Sequence, residues 1–522
     1  MTRNIYGDIG IIVLVSVCMI FFNLDAFSLL DPDEPVYAQT AKEMLAQGSF
    51  ISPLIYGDFW YDKPPMYYWL IMGAAQIFGM GEFAARFPSA LLGVGGCLSL
   101  YFAVKDIFNR RTAFISALIL ATSFEYFYLA KAAVTDITLT LFISASLLAL
   151  IQKRYYLFYF FMGLAVLTKG PIGFFPAVIG FVYLTCSGRL RELNHARIFS
   201  GSLLMFLVFA PWYGAMIYFH GHDFVDTFLG FHNITRFTSP EHPSKTMWYF
   251  YLPVLLIGFF PWCAVLPQAL WRAFTSGARE QQKLLFFSIW AGLIFVFFSV
   301  AQTKLVSYIL PMYPALAILV GWYINSLWED FYRTERFYGW MATLLLLTAG
   351  FSYGTWQGLK ALPGLELTAL CLIFVLLFIG IFTACFLWKR QPANAFFLQI
   401  IGMFGLAAVV SGMIVPAVAP QFSSAAVALE LKNSYNGQGT VYISKFLRPG
   451  IAFYGDIYGE ELIFSATQIP DMEQLLAKNP SAYFILRDID YKRLSPAVQQ
   501  KLVLVKNADN NLILQGIVEN TP

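Results

Sequence analysis

The sequence predicts a polytopic α-helical membrane protein that ends in a small α/β domain, and three observations carry that expectation. Of the 522 residues 58% are hydrophobic and 12% charged, with a mean hydropathy of +0.63, whereas soluble domains carry about 25% charged residues. Apolar runs near the ~20 residues that a bilayer demands recur through the first part of the chain. After Pro420 the composition changes to short β-rich and helical runs.

The apolar segments lie near 9–30, 67–104, 112–130, 134–151, 155–168, 171–187, 198–219, 247–271, 284–301, 305–327, 338–358, 363–388 and 395–418. That is about thirteen helices at the usual spanning length. The first run lacks an AxA-type cleavage site and reads as a retained helix. Basic residues cluster in alternate loops: Lys105 with Arg110 and Arg111; Lys153 with Arg154; Arg189, Arg191 and Arg197; Arg272, Arg279 and Lys283; Arg333 with Arg336; Lys389 with Arg390. The positive-inside rule makes that side cytoplasmic. The N-terminus is then inside and the segment after Pro420 outside. All six cysteines fall inside apolar runs, so neither a disulfide framework nor a CxxC metal site is expected.

The C-terminal domain is read from its patterning. GTVYIS, IAFYG, ELIFS, SAYFILRD and NLILQGIV read as strands, and SSAAVALELKNS, DMEQLLAK and SPAVQQKL as helices. It has no nucleotide-binding glycine loop and is expected to be an accessory domain.

The remaining polar residues crowd the opposite, extracytoplasmic side. Asp31, Asp33 and Glu34 follow the first apolar run, bracketed by Pro32 and Pro35. Acids there serve as helix-boundary markers or, facing a concave site, as a general base or cation ligand. The helix after them, AQTAKEMLAQG, reads as amphipathic and surface-lying. Asp62 and Lys63 sit in an aromatic-rich stretch stiffened by Pro64 and Pro65, suited either to an interface belt or to an anionic headgroup. Lys131, Asp136 and Lys169 stand at helix ends, where an ionisable group in an apolar run calls for a partner or a role. His232 and Arg236 are four apart. The Arg fork suits phosphate oxygens, and His232 with Asp62 suits a metal, against the plainer reading of a polar loop. Lys304 and Tyr308 are also four apart, at a helix mouth that Pro311 and Pro314 would kink.

Taken in order, DPDEPVYAQTAKEML, YDKPPMYYWL, KAAVTDITLT, LTKGPIG, HNITRF and TKLVSYILPMYPALA resemble the polyprenyl-phosphate-sugar glycosyltransferases of the GT-C fold. The nearest branch is the lipid A aminoarabinose transferase type, related to protein O-mannosyltransferases. The resemblance covers about residues 1–420 and implies a GT-C transmembrane catalytic domain there, with periplasmic loops at 31–66 and 220–246. Residues 421–522 would form the periplasmic α/β accessory domain. It implies catalytic acids at Asp33, Glu34 and Asp136. Donor-phosphate and substrate contacts would come from Tyr37, Lys63, Lys169, Arg236, Lys304 and Tyr308. A divalent metal, zinc or magnesium, would be held by Asp62 and His232, although that branch carries Glu where this chain has the shorter Asp62.

The implied reaction is an inverting transfer from undecaprenyl (polyprenyl) phosphate to an envelope acceptor such as lipid A or another glycolipid, in the bacterial inner membrane and without a nucleotide cofactor or nucleic acid. An O-mannosyltransferase-like enzyme with a protein acceptor keeps the same chemistry. A lipid-linked sugar transporter or flippase is the alternative of another class. Transporters place charges near the bilayer midplane on broken helices, whereas here they gather at one face.

Overall fold

The computed structural model describes residues 4–228, 230, 247–275, 277–329, 335–358, 364–435, 437–465 and 468–517. It divides into two units. One comprises Met1–Phe22, Tyr61–Tyr67 and Pro88–Met413; the other comprises Asn23–Trp60, Tyr68–Phe87 and Ile414–Pro522. The C-terminal sheet thus forms one body with two stretches from near the N-terminus, a grouping that a single cut at 420 does not capture.

The helices begin with α1 (Ile5–Phe21), α2 (Asp33–Gln47), α3 (Met66–Phe78), α4 (Glu82–Ile107), α5 (Arg110–Thr122) and α6 (Phe124–Leu129). They continue with α7 (Asp136–Ile151), α8 (Tyr155–Lys169), α9 (Phe175–Cys186) and α10 (Ile198–Phe224), after which further helices run to Pro392–Val409. Among the described residues seven helices are long and apolar enough to cross a membrane, and Ile5–Phe21, Met66–Phe78 and Asp136–Ile151 are shorter apolar helices. Several predicted spans are broken by short turns of 3-10 helix; residues 305–327, for example, divide into Val306–Met312 and Tyr313–Glu329, with Pro311 removing an amide donor.

In the membrane unit α5 packs on Tyr313–Glu329, α7 on α8, and α8 on α10. The Val306–Glu329 span is 89% buried and forms the centre, whereas only 28% of the Glu366–Trp388 span is covered by protein. An apolar helix left that bare suits a lipid-facing position. All six cysteines are free.

In the second unit a five-stranded sheet runs in the order β4-β3-β5-β7-β6. Its strands are β3 (Val441–Ser444), β4 (Glu460–Leu462), β5 (Tyr483–Arg487), β6 (Leu502–Ala508) and β7 (Asn511–Gly516). β3 is parallel to β4 and β5; β7 is antiparallel to β5 and β6. Alternation divides the inner strands between two cores. Val441, Ile443, Ile485 and Ile513 face one, and Tyr442, Phe484, Leu486, Leu512 and Leu514 the other. Burial on both faces is why these strands read as continuous apolar runs.

Three readings change. IAFYG lies in helix Arg448–Gly455, not in a strand. Pro449 in the first turn and the burial of Ile451 and Ala452 outweigh its aromatic, β-branched content. LVLVKNA, absent from the expected strands, is β6, whose exposed middle at the sheet edge gives it no core signature. Helix α2 is not a surface-lying helix: Glu34, Tyr37, Ala38, Thr40, Ala41, Glu43 and Met44 are buried, and it packs against Arg448–Gly455.

Candidate active site

In the second unit, α2 opens on the DPDE segment. Asp33 and Glu34 lie in its first turn, where negative charge is favoured by the helix dipole. Gly48 ends it in a left-handed conformation, its N–H reaching back to Met44 and Leu45 carbonyls. Neighbours in sequence, the two acids differ in surroundings. Asp33 is exposed. Glu34 is buried and gripped by Arg86, with Nε donating to Oε1 at 2.9 Å and Nη2 to Oε2 at 2.7 Å. Glu34 also accepts the Leu30 amide at 2.8 Å. Arg86 is wholly buried. It spends its other donor contacts on the carbonyls of Leu24, Phe27 and Ser28, with its guanidinium 4.1 Å from the Phe27 ring centre. The fork therefore fixes the whole 24–34 turn from which Asp33 projects. Glu34's charge is accounted for by that clamp. Sequence reading missed Arg86, the one basic residue inside the 67–104 apolar run; its signal was the cost of placing an unpaired charge there.

Among the described residues Asp31 has no basic partner. Its carboxyl oxygens are shut off from solvent. A methyl on Gly450, near the start of helix Arg448–Gly455, would come within 2.6 Å of Oδ1. Burial pushes the Asp31 carboxyl well above the usual carboxylate range, a rise that nearby Ser424 partly opposes. Tyr37, 8% exposed, packs its ring 5.9 Å from that of Tyr68.

In the membrane unit, α7 starts at Asp136 and α8 ends at Lys169. An acid at a helix start and a base at a helix end both complement the dipoles. Since α7 packs on α8, the two meet: Lys169 Nζ donates to Asp136 Oδ1 at 2.7 Å, both side chains being more than four-fifths buried. The ammonium also stands 5.1 Å from the Tyr308 ring centre, a cation–π geometry. Gly170 permits the abrupt stop after Lys169. Its φ is +73°, and a Cβ there would press within 2.9 Å of Phe228. Predicted residues 136, 169 and 308 thus form one cluster.

Lys63 Nζ stands 2.8 Å from Asp62 Oδ1. Tyr61, just before them, shares its hydroxyl with His220 Nδ1 at 3.1 Å. Lys304 is buried, and its amine donates at 2.5 Å to the carbonyl of Ala301, which caps helix Ala278–Val300. That capping accounts for its burial. Lys131 likewise donates to the Phe22 carbonyl that ends α1. His232 and Arg236 lie outside the described residues. Among the described residues no group of three His, Cys, Asp or Glu side chains is placed to hold a metal. Asp62 has the Lys63 ammonium beside it, and the other residue expected to hold a metal, His232, is among those not described.

Residues 62–214 match the family described as dolichyl-phosphate-mannose-protein mannosyltransferase. An uncharacterized protein of Aquifex aeolicus is 34% identical over 319 residues, covering 61% of this chain and 74% of the relative. The undecaprenyl phosphate-alpha-4-amino-4-deoxy-L-arabinose arabinosyl transferase of Aeromonas hydrophila is 32% identical over 314 residues, 57% of this chain. The match spans only 56% of that enzyme's length; a second Aquifex protein is spanned over 64%. Crystalline ArnT from Cupriavidus metallidurans bound to undecaprenyl phosphate superimposes with a TM-score of 0.83 over 99% of both chains, at 21% identity. The archaeal oligosaccharyltransferase AglB from Archaeoglobus fulgidus does so at 0.58, over 99% of this chain and 74% of that one, at 13% identity.

Helix plan and sheet domain together define a multi-pass membrane protein of the GT-C glycosyltransferase fold. Within that fold, residues 62–214 fall under the mannosyltransferase family model, and the arabinosyl transferase of Aeromonas hydrophila is a relative over little more than half of its own length.

Proposed function

We propose that the protein is an inverting glycosyltransferase that moves a sugar from undecaprenyl (polyprenyl) phosphate to an envelope acceptor of the lipid A class. The carrying observation is the Lys169–Asp136 pair with Tyr308 against it, a shielded cation at a helix end. Departure of the lipid phosphate develops negative charge at the leaving oxygen. A cation held in low dielectric stabilises such charge far more than one in water. Lys63, and Arg236 by resemblance, would add to it. Attack at the anomeric carbon passes through an oxocarbenium-like state. Asp33, exposed on the rigid start of α2, acts as base toward a hydroxyl acceptor or orients an acceptor phosphate.

Relatives named for arabinosyl transfer from undecaprenyl phosphate-aminoarabinose support the donor class, and the lipid A acceptor follows from the resemblance of the motifs. A second reading, transfer to a protein hydroxyl, draws on the mannosyltransferase family match over 62–214. The alternating basic loops argue for an inner-membrane protein with a cytoplasmic N-terminus and periplasmic chemistry. The test is transfer of radiolabelled sugar from polyprenyl phosphate by the purified protein, scored on lipid A and on protein. Label on lipid A, lost in Asp33→Asn and Lys169→Ala, is expected. Donor translocation without transfer would replace the proposal with a transporter.

A further inference from the structure

The hairpin that leads into the Asp62–Lys63 segment is built around an awkward turn. Strands β1 (Leu54–Ile55) and β2 (Asp58–Phe59) pair antiparallel, Ile55 opposite Asp58. The two residues between them, Tyr56 and Gly57, both have positive φ, 59° and 86°. A two-residue turn of that hand matches strand twist, but its first position favours Asn, Asp or Gly. Tyr56 is a poor intrinsic choice, so something else holds the turn. Glu43, 4% exposed on α2, does so. Its Oε1 accepts the Tyr56 amide at 2.8 Å and its Oε2 the Gly57 amide at 2.9 Å. Gln39, one helical turn back, steadies the carboxylate by donating from Nε2 at 2.6 Å. From the C-terminal domain Arg448 covers the Tyr56 ring, its guanidinium carbon 4.0 Å from the ring centre. Arg448 is itself fixed by donating from Nε to the Tyr458 carbonyl at 2.9 Å. Beyond β2 the Trp60 amide donates to the Pro53 carbonyl at 2.9 Å, and Tyr61, Asp62 and Lys63 follow at once.

We propose that Glu43 is a positioning residue for Lys63, acting through the Tyr56–Gly57 turn; this rests on the reading of Lys63 as a contact to the donor phosphate. A buried carboxylate that binds two successive backbone amides sets the direction in which β2 leaves the turn. The chain has three residues, Trp60 to Asp62, in which to lose that direction before Lys63. The accessory domain enters the same device through Arg448.

The experiment uses the full-length protein in detergent, with polyprenyl-phosphate sugar as the varied substrate. In Glu43→Gln the side chain keeps one accepting oxygen, so one amide loses its partner. The donor KM is expected to rise by about tenfold to a hundredfold, the scale on which displaced catalytic groups act, while the unfolding midpoint stays near wild type. Lys63→Arg should raise the same KM, and the double variant should be no worse than the worse single, the mark of two residues acting as one. Gly57→Ala stresses only the turn, since its Cβ would meet nothing within 4 Å. It should raise the donor KM as well and keeps the test open if Glu43→Gln fails to fold. Wild-type donor KM in Glu43→Gln or Gly57→Ala, or strictly additive effects with Lys63→Arg, overturns the inference. If Lys63→Arg alone leaves donor KM unchanged, the phosphate reading of Lys63 falls and this inference with it. If Lys63→Arg raises it while the other two do not, only the role of Glu43 falls.

Discussion

Arg86 holds Glu34 through two parallel hydrogen bonds of 2.9 and 2.7 Å, both partners out of solvent. Removing one member of such a pair strands the other's charge, which typically costs about 3–5 kcal/mol. Arg86→Met should therefore sharply lower the thermal unfolding midpoint of the detergent-purified protein. Arg86→Lys keeps the charge but not the planar fork and should fall between. Arg86→Met with Glu34→Leu should recover part of the loss, since no lone charge remains. Equal stability of wild type and Arg86→Met would show that the clamp contributes nothing.

Asp33 tests the division of labour between adjacent acids. Asp33→Asn keeps shape and exposure but removes the base, so transfer should drop by about 100- to 10,000-fold, the usual range for general-base catalysis, with stability unchanged. Glu34→Gln should show the reverse emphasis: lower stability, and transfer lost only as far as the 24–34 turn loosens. Rates and melting curves on the same preparations check both. Full transfer by Asp33→Asn would remove Asp33 from the chemistry.

Hydropathy exposed the membrane class and most helices, because twenty-odd apolar residues without a break have few other uses. It also brought out Asp136 and Lys169, since charges at helix ends in an apolar chain are conspicuous, while Tyr308 came from its spacing of four from Lys304. What stayed hidden depended on tertiary contact. Periodicity left α2 looking surface-bound because Glu34 and Glu43 are polar, yet both are buried by partners far along the chain, Arg86 and the Tyr56–Gly57 turn. The resting place of the Lys304 amine, on the Ala301 carbonyl, was equally out of reach of the sequence. IAFYG has the composition of a strand and folds as helix because its neighbours require a helix there.

The Lys169–Asp136 pair predicts unequal losses. Lys169→Met removes the cation that would meet the leaving phosphate and leaves the Asp136 carboxylate buried without its 2.7 Å partner. It should weaken both polyprenyl-phosphate binding and transfer. Asp136→Asn leaves the cation in place, still 5.1 Å from the Tyr308 ring centre. It should retain more donor affinity and lose mainly rate. Titration of undecaprenyl phosphate against each variant separates these outcomes. Equal affinity in wild type and Lys169→Met would take Lys169 out of the phosphate site.

Asp31 supplies a pH dependence whose sign follows from its burial. The folded state holds this carboxyl well above the ordinary Asp value of 3.8. Between that value and the raised one, the unfolded chain has released the proton while the folded protein keeps it. The contribution is therefore fully present below about pH 3.8, the unfolded Asp value. It is lost as pH rises toward the folded value, by at most about 1.4 kcal/mol per pH unit. Asp31→Asn keeps the shape and cannot ionise. Melting curves taken from pH 5 to 8 should show wild type losing stability relative to Asp31→Asn as the pH climbs, with the gap widening until the folded carboxyl ionises. The same gap should survive in a Lys169→Met background, because the titration belongs to Asp31 and not to the phosphate cluster. Parallel curves for wild type and Asp31→Asn across that range would mean that the carboxyl is ionised in the fold despite its burial.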